Sequence, residues 1–143
     1  MAERTGLLVA LAFVLVAACR EETGRLGPER DARFAAESLL HRADDLEFRY
    51  TQGGGRRGGR WEGRLASIIV TRQSVFIHKN EKVGLELTPR TRREIEVHRD
   101  GERIRITAGS SRSAESWSFV PPDDAEGWAR DIRAVVRQNP MSR

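Results

Sequence analysis

Over residues 46–119 apolar side chains tend to alternate with polar ones, whereas toward both ends of the chain they recur every third or fourth position. The alternation is cleanest late in that stretch. In EIEVHR, Ile95 and Val97 alternate with Glu94, Glu96 and His98, and in ERIRIT, Ile104 and Ile106 alternate with Arg103 and Arg105. Asp100-Gly101 lies between the two runs and predicts a two-residue hairpin turn of type I′, which needs positive φ at both central residues. Strict alternation means one buried and one wetted face, the mark of antiparallel pairing. Glu and Arg residues facing each other on the wet face then have a structural reason for their charge.

Five further strands are predicted. Residues 46–52 place Leu46, Phe48 and Tyr50 on one face; residues 61–71 form a long β-rich run; 74–78 and 82–87 follow after short turns. In the last strand Trp117 and Phe119 face in while Ser116 and Ser118 face out. Pro121-Pro122 then stops the sheet. Asp123 is expected to cap a helix, with Glu126 three residues later as its capping-box partner. Trp128, Ile132, Val135 and Val136 recur at i, i+4, i+7 and i+8 as one apolar stripe, ending near Gln138 before a short tail over 139–143. Before the strands, the spacing of Ala32, Ala35 or Ala36, Leu39 and Ala43 predicts a helix over 29–45, broken at Asp44-Asp45.

The N-terminus is of another kind. Leu7 to Ala18 is an uncharged run of twelve residues, closed by Cys19, the single cysteine of the chain. A spanning helix needs about 20 apolar residues, so the run has the length of a signal h-region. Val16-Ala17-Ala18-Cys19 resembles the lipobox of bacterial lipoprotein precursors. That resemblance implies cleavage of residues 1–18, a diacylglyceryl group on Cys19 and usually a further acyl chain on the new N-terminus. Two or more chains hold a protein durably at a membrane, where one gives marginal binding. Arg20 stands where the usual inner-membrane retention signal has aspartate. The resemblance therefore implies the envelope of a bacterium and, where there are two membranes, the outer one, facing the periplasm. Residues 19–28, polar and punctuated by Gly and Pro, read as a lipidated tether.

Seven strands followed by one amphipathic helix with an early tryptophan resemble the pleckstrin-homology (PH) superfold. The residues that carry the likeness are SIIVT, SVFIH, KVGLEL, the EIEVHRDGERIRI hairpin, WSF and DDAEGWARDIRAVV. The fold expected is thus mainly β: a seven-stranded antiparallel PH-like barrel or sandwich over 46–138, closed by a C-terminal amphipathic helix and preceded by an N-terminal one. In that family a tryptophan of the closing helix packs into the barrel, and Trp128 matches it. Another small barrel or sandwich with a terminal helix is the alternative. Gly101 in the hairpin, Trp117, Trp128 and Asp123 are the structural positions singled out.

Function follows from fold only weakly. Many PH domains bind inositol phosphates through basic residues of the first two strands and their loop. The matching region here holds Arg49, Arg56, Arg57, Arg60 and Arg64, without the lysine pattern of the phosphoinositide binders. Others of the family bind peptides between the fifth strand and the helix, which here means residues 94–99 and the exposed edge of 127–137. Two functions are therefore carried forward: a non-catalytic binding or scaffolding module for an envelope protein, and contact with anionic lipid or lipopolysaccharide through the arginine-rich loop.

Composition changes this picture little. The chain has 143 residues, 25 Lys plus Arg, 21 Asp plus Glu and a net charge of +4, a balance that permits anionic partners but also describes a mixed solvated surface. GGGRRGGR at 53–60 resembles RNA-binding RGG segments, but it is eight residues long with Trp61 alone beside it, and an exported protein meets little RNA; no nucleic acid is expected. One cysteine allows no internal disulfide and no thiolate cage, and His41, His78 and His98 lack metal-ligand spacing. No serine stands in GxSxG or SxxK, and no GxxxxGK[ST] or GxGxxG is present. No enzyme, metal or cofactor is expected, although a catalytic set assembled from distant residues leaves no motif.

Overall fold

The computed structural model describes residues 28–53, 60–79, 82–110 and 113–141. Helix α1 (Pro28–Ala36) is followed by strands β1 (Leu39–Gln52), β2 (Arg60–Thr71), β3 (Val75–Lys79), β4 (Lys82–Leu87), β5 (Ile95–Asp100), β6 (Arg103–Ala108) and β7 (Glu115–Phe119), and then by helix α2 (Ala125–Arg137). All neighbouring strands are antiparallel, in the order β4-β3-β2-β1-β7-β6-β5. The fold is mainly β, as expected, and the order is consistent with a PH-like barrel.

β1 is what makes one sheet curl. Its 14 residues pair with β2 from Leu39 to Thr51, while Phe48 to Gln52 also pair with β7 on the other side. The register slips between Ala43 and Leu46, and Asp45 takes φ 54°. Such a bulge bends a strand and strengthens its twist. The two halves of the sheet therefore fold toward each other around Ala66, Ile68, Val70, Ile77, Ile104, Ile106, Trp117 and Phe119. α2 seals the core with Trp128, Ala129, Ile132, Val135 and Val136, the stripe read from its spacing. The Trp128 ring meets Phe119 edge-on at 5.9 Å and is 1% exposed, so it packs into the sheet's interior as the PH resemblance implies. α1 covers the opposite face of β2 and β3, where Phe34, Ile69 and Phe76 form a second apolar cluster.

Three local expectations are corrected. The helix over 29–45 ends at Ala36, and residues 39–45 belong to β1, so the sheet begins seven residues earlier than expected. Ser38 turns out of the helix at φ 62°, and the next residues find partners in β2, Leu39 beside Thr71 and Ala43 beside Ile68. Sheet pairing outweighs a helical spacing built on small residues. In the β5–β6 hairpin the pair flanking the turn is Asp100–Arg103, so its centre is Gly101-Glu102. Gly101 has φ 58° and Glu102 is not left-handed, which is the type II′ pattern instead of I′. The N-cap of α2 is Asp124, not Asp123: its carboxylate accepts from the Gly127 amide at 3.0 Å. A Cβ at 127 would collide with that carboxylate, so glycine is the residue the cap requires. Asp123 instead accepts from the Trp128 indole N–H at 3.2 Å, satisfying the one polar atom of the buried ring.

Candidate functional site

β5 and α2 form one border of the molecule. β5 is the terminal strand of the sheet, and β6 pairs with one of its sides only. In a two-residue hairpin the flanking pair exchanges both hydrogen bonds, and bonded pairs then alternate. Asp100–Arg103, His98–Arg105 and Glu96–Thr107 are thus the bonded pairs, and Ile95, Val97 and Arg99 turn their amide and carbonyl groups to the outer side.

α2 runs alongside. Its end is pinned to the start of β5 by Asn139, which is 3% exposed and donates from Nδ2 to the Arg93 carbonyl at 3.0 Å. Its other flank faces β1, where Asp131 Oδ2 lies 2.8 Å from His41 Nε2 and the His41 ring stacks on Trp128 at 4.8 Å. Two residues on from Asp131 is about 200° around a helix, which puts Arg133 on the flank toward β5, and Arg137 follows one turn later. Both are exposed. The border thus combines a strand edge, the half-buried Val97 and the cations Arg99, Arg133 and Arg137, with Glu96 on the strand and Glu94 just before it.

A polar groove of about 310 Å³ lies elsewhere, lined by Arg33, Glu37, Gln73, Ser74, Thr88 and Arg90. Glu37 is its centre. It accepts from Arg33 Nε at 2.9 Å, Ser74 Oγ at 2.6 Å and Thr71 Oγ1 at 3.2 Å. Burial pushes its carboxyl up, but these hydrogen bonds and the Arg33 charge hold it below the usual range. An acid so saturated stays ionised and fixes α1 to the β2–β3 turn; its geometry is that of a clamp rather than of a poised base.

A third polar group joins β1 to β7. Tyr50 Oη donates to Glu115 at 2.7 Å, and Arg93 donates to the other oxygen of Glu115 at 2.6 Å. Burial and the Glu115 carboxylate push the Tyr50 phenol up to about 12. Burial raises the Glu115 carboxyl, but Tyr50 and Arg93 outweigh it and the net direction is downward.

Cys19, Arg56 and Arg57 lie outside the described residues. Arg60 and Arg64 stand in β2 opposite Thr51 and Phe48, described here by backbone position alone, and Arg49 is exposed on β1. Trp117 and Trp128 are core residues, Asp123 serves the indole and Gly101 the hairpin. Sequence reasoning missed His41 and Asp131, which meet 90 positions apart and carry no local signal. Among the described residues no three His, Cys, Asp or Glu side chains gather as a metal site requires, and no helix is long and apolar enough to cross a membrane. The chain matches no protein-family model and no curated protein.

Proposed function

We propose that this chain is a lipid-anchored bacterial envelope protein, held through Cys19, whose folded part is a non-catalytic binding module for a protein partner. The partner docks as an extended segment beside β5, adding a strand to the sheet with α2 as the wall of the groove. The observation that carries this reading is the outer edge of β5, a row of backbone donors and acceptors with no strand on it among the described residues, placed next to a helix firmly fixed to the same sheet. An edge of this kind is either protected or used. The anchoring half of the proposal rests on Val16-Ala17-Ala18-Cys19.

The test is photo-crosslinking in the native host, with a photoreactive residue placed in turn at Val97, at Arg133 and, for comparison, at Gln73 on the far side. The expected result is one discrete adduct shared by positions 97 and 133 and missing at 73. Adducts of equal yield at all three positions, or at none, would remove the β5–α2 edge as the binding surface.

A further inference from the structure

One end of the barrel gathers exposed apolar side chains that the core leaves unused. Leu39 opens β1 beside Thr71, the last residue of β2, and Val75 opens β3 beside Leu87, the last of β4. The start of β1, the β2–β3 turn and the loop after β4 therefore lie together. Hydrogen bonds tie the neighbouring segments in. The Arg72 amide donates to the Ser38 carbonyl at 3.3 Å, and Gln138 Nε2 donates to the Arg72 carbonyl at 3.1 Å. Gln73 and Ser74 share the polar groove with Thr88 and Arg90. The end of α2 and the tail to Met141 belong to this same end.

Four large apolar side chains are exposed among the described residues, and three of them stand here: Leu39 at 45%, Leu40 at 40% and Met141 at 52%. Consecutive residues of a strand point to opposite faces. A protein laid on one face of β1 would cover one leucine and leave the other wet. A layer that takes in the whole end covers both, and the interfacial region of a bilayer is a layer of that kind.

The polar groups of this end suit the same layer. Arg72 in the β2–β3 turn and Arg90 and Arg92 in the loop after β4 are all exposed. The loop is held by its own hydrogen bonds, from the Thr88 amide to Thr91 Oγ1 at 2.9 Å and from the Arg90 amide to Thr88 Oγ1 at 3.2 Å. Of the acids nearby, Glu37 and Glu86 are held by Arg33, and Glu115 by Arg93. Arginine stems lie along apolar surface while their heads stay at the level of the phosphates. Exposed arginines occur elsewhere on the fold; their meeting with Leu39, Leu40 and Met141 is what sets this end apart.

The tether brings this end within reach of a membrane. Even fully extended, residues 19–28 span about 30 Å, roughly the width of a domain of this size. A chain anchored through Cys19 therefore keeps its barrel against the bilayer. α1, into which the tether leads, ends at Ala36, two residues before Ser38. The Gly101 hairpin lies at the other end of β5 from the Arg93 contact, so the β5–α2 edge runs away from this surface and stays accessible.

We propose that Leu39, Leu40 and Met141 enter the headgroup layer of the bilayer that holds Cys19, with Arg72, Arg90 and Arg92 at the level of the lipid phosphates. This placement rests on the Cys19 anchor and goes beyond it, because a lipid anchor alone fixes no orientation.

The experiment uses the full chain made in its native host and reconstituted into vesicles of phosphatidylethanolamine and phosphatidylglycerol. Leu40→Cys, Met141→Cys and Glu102→Cys, one at a time, supply a thiol for a nitroxide label; lipidation blocks the Cys19 sulfur, so the parent chain takes none. Power-saturation spectroscopy then compares collisions with oxygen, which concentrates in the bilayer, and with a water-soluble nickel chelate. Labels at 40 and 141 are expected to meet the chelate severalfold less than the label at 102, on the exposed hairpin. Leu39→Ser with Arg90→Ser should move the value at 141 toward that at 102. Equal chelate access at 40, 141 and 102 would overturn the placement and leave the anchor standing. Labelling of the parent chain at Cys19 would remove the anchor, and the placement with it.

Discussion

Trp128 shows how much one side chain decides in this fold. Its ring touches Phe119 and His41, and its only polar atom is satisfied by Asp123. Trp128→Ala removes a fully buried tryptophan and should cost about 3–5 kcal/mol in denaturant unfolding; a loss below 1 kcal/mol would mean that α2 is not seated as described. Tyr50 makes a pH prediction. Its phenol is raised in the folded state, so the unfolded chain ionises first as pH climbs. The stabilisation is full below about pH 10 and is lost as pH rises toward 12. Tyr50→Phe should therefore flatten the alkaline limb of a stability curve while costing about 1 kcal/mol at neutral pH. The apolar partners of Trp128 were legible from the i, i+4, i+7 spacing. The cap was not, because Asp123 and Asp124 are equivalent in a sequence and only φ 31° at Asp124 and the indole contact of Asp123 separate them.

The junction between α1 and β1 is where local signal and tertiary pairing part company. The helical spacing continues past residue 36 with Leu39 and Ala43, and nothing in the sequence marks Ser38 as a turn. What ends α1 is the availability of β2, whose Thr71 and Ile68 lie beside Leu39 and Ala43. Ser38 accepts a left-handed backbone that glycine adopts at lower cost, at φ 62°. Ser38→Gly should hold or raise the melting temperature, whereas Ser38→Val should lower it by several degrees; equal effects would contradict the left-handed turn. Glu37, beside it, works in the opposite pH direction to Tyr50. Its carboxyl is lowered in the folded state, so its contribution is complete above about pH 4 and is lost as the pH falls through the depressed value. Acid titration of Glu37→Gln should show a shallower loss of stability than the parent chain. The His41–Asp131 pair was hidden from sequence reasoning because its members come from β1 and α2, and only the fold brings them together.

On the scale of the whole molecule, the alternation of apolar residues, the Gly101 hairpin and the final amphipathic helix were enough to foresee a seven-stranded antiparallel sheet closed by a helix. They could not show that β1 spans both halves of the sheet, since Leu39 and Ala43 in its first half continue a helical spacing. The proposed task depends on location as well as on shape. In the proposed task, a module held at a membrane through Cys19 would present its β5–α2 edge to envelope proteins. The most direct measurement is the intact mass of the protein extracted from membranes of its native host, beside Cys19→Ser. A parent species that begins at Cys19 and carries diacylglyceryl and acyl mass, absent from the variant, is the predicted result. An unmodified full-length mass for both would contradict the anchor and with it the envelope as the place where this sheet edge works.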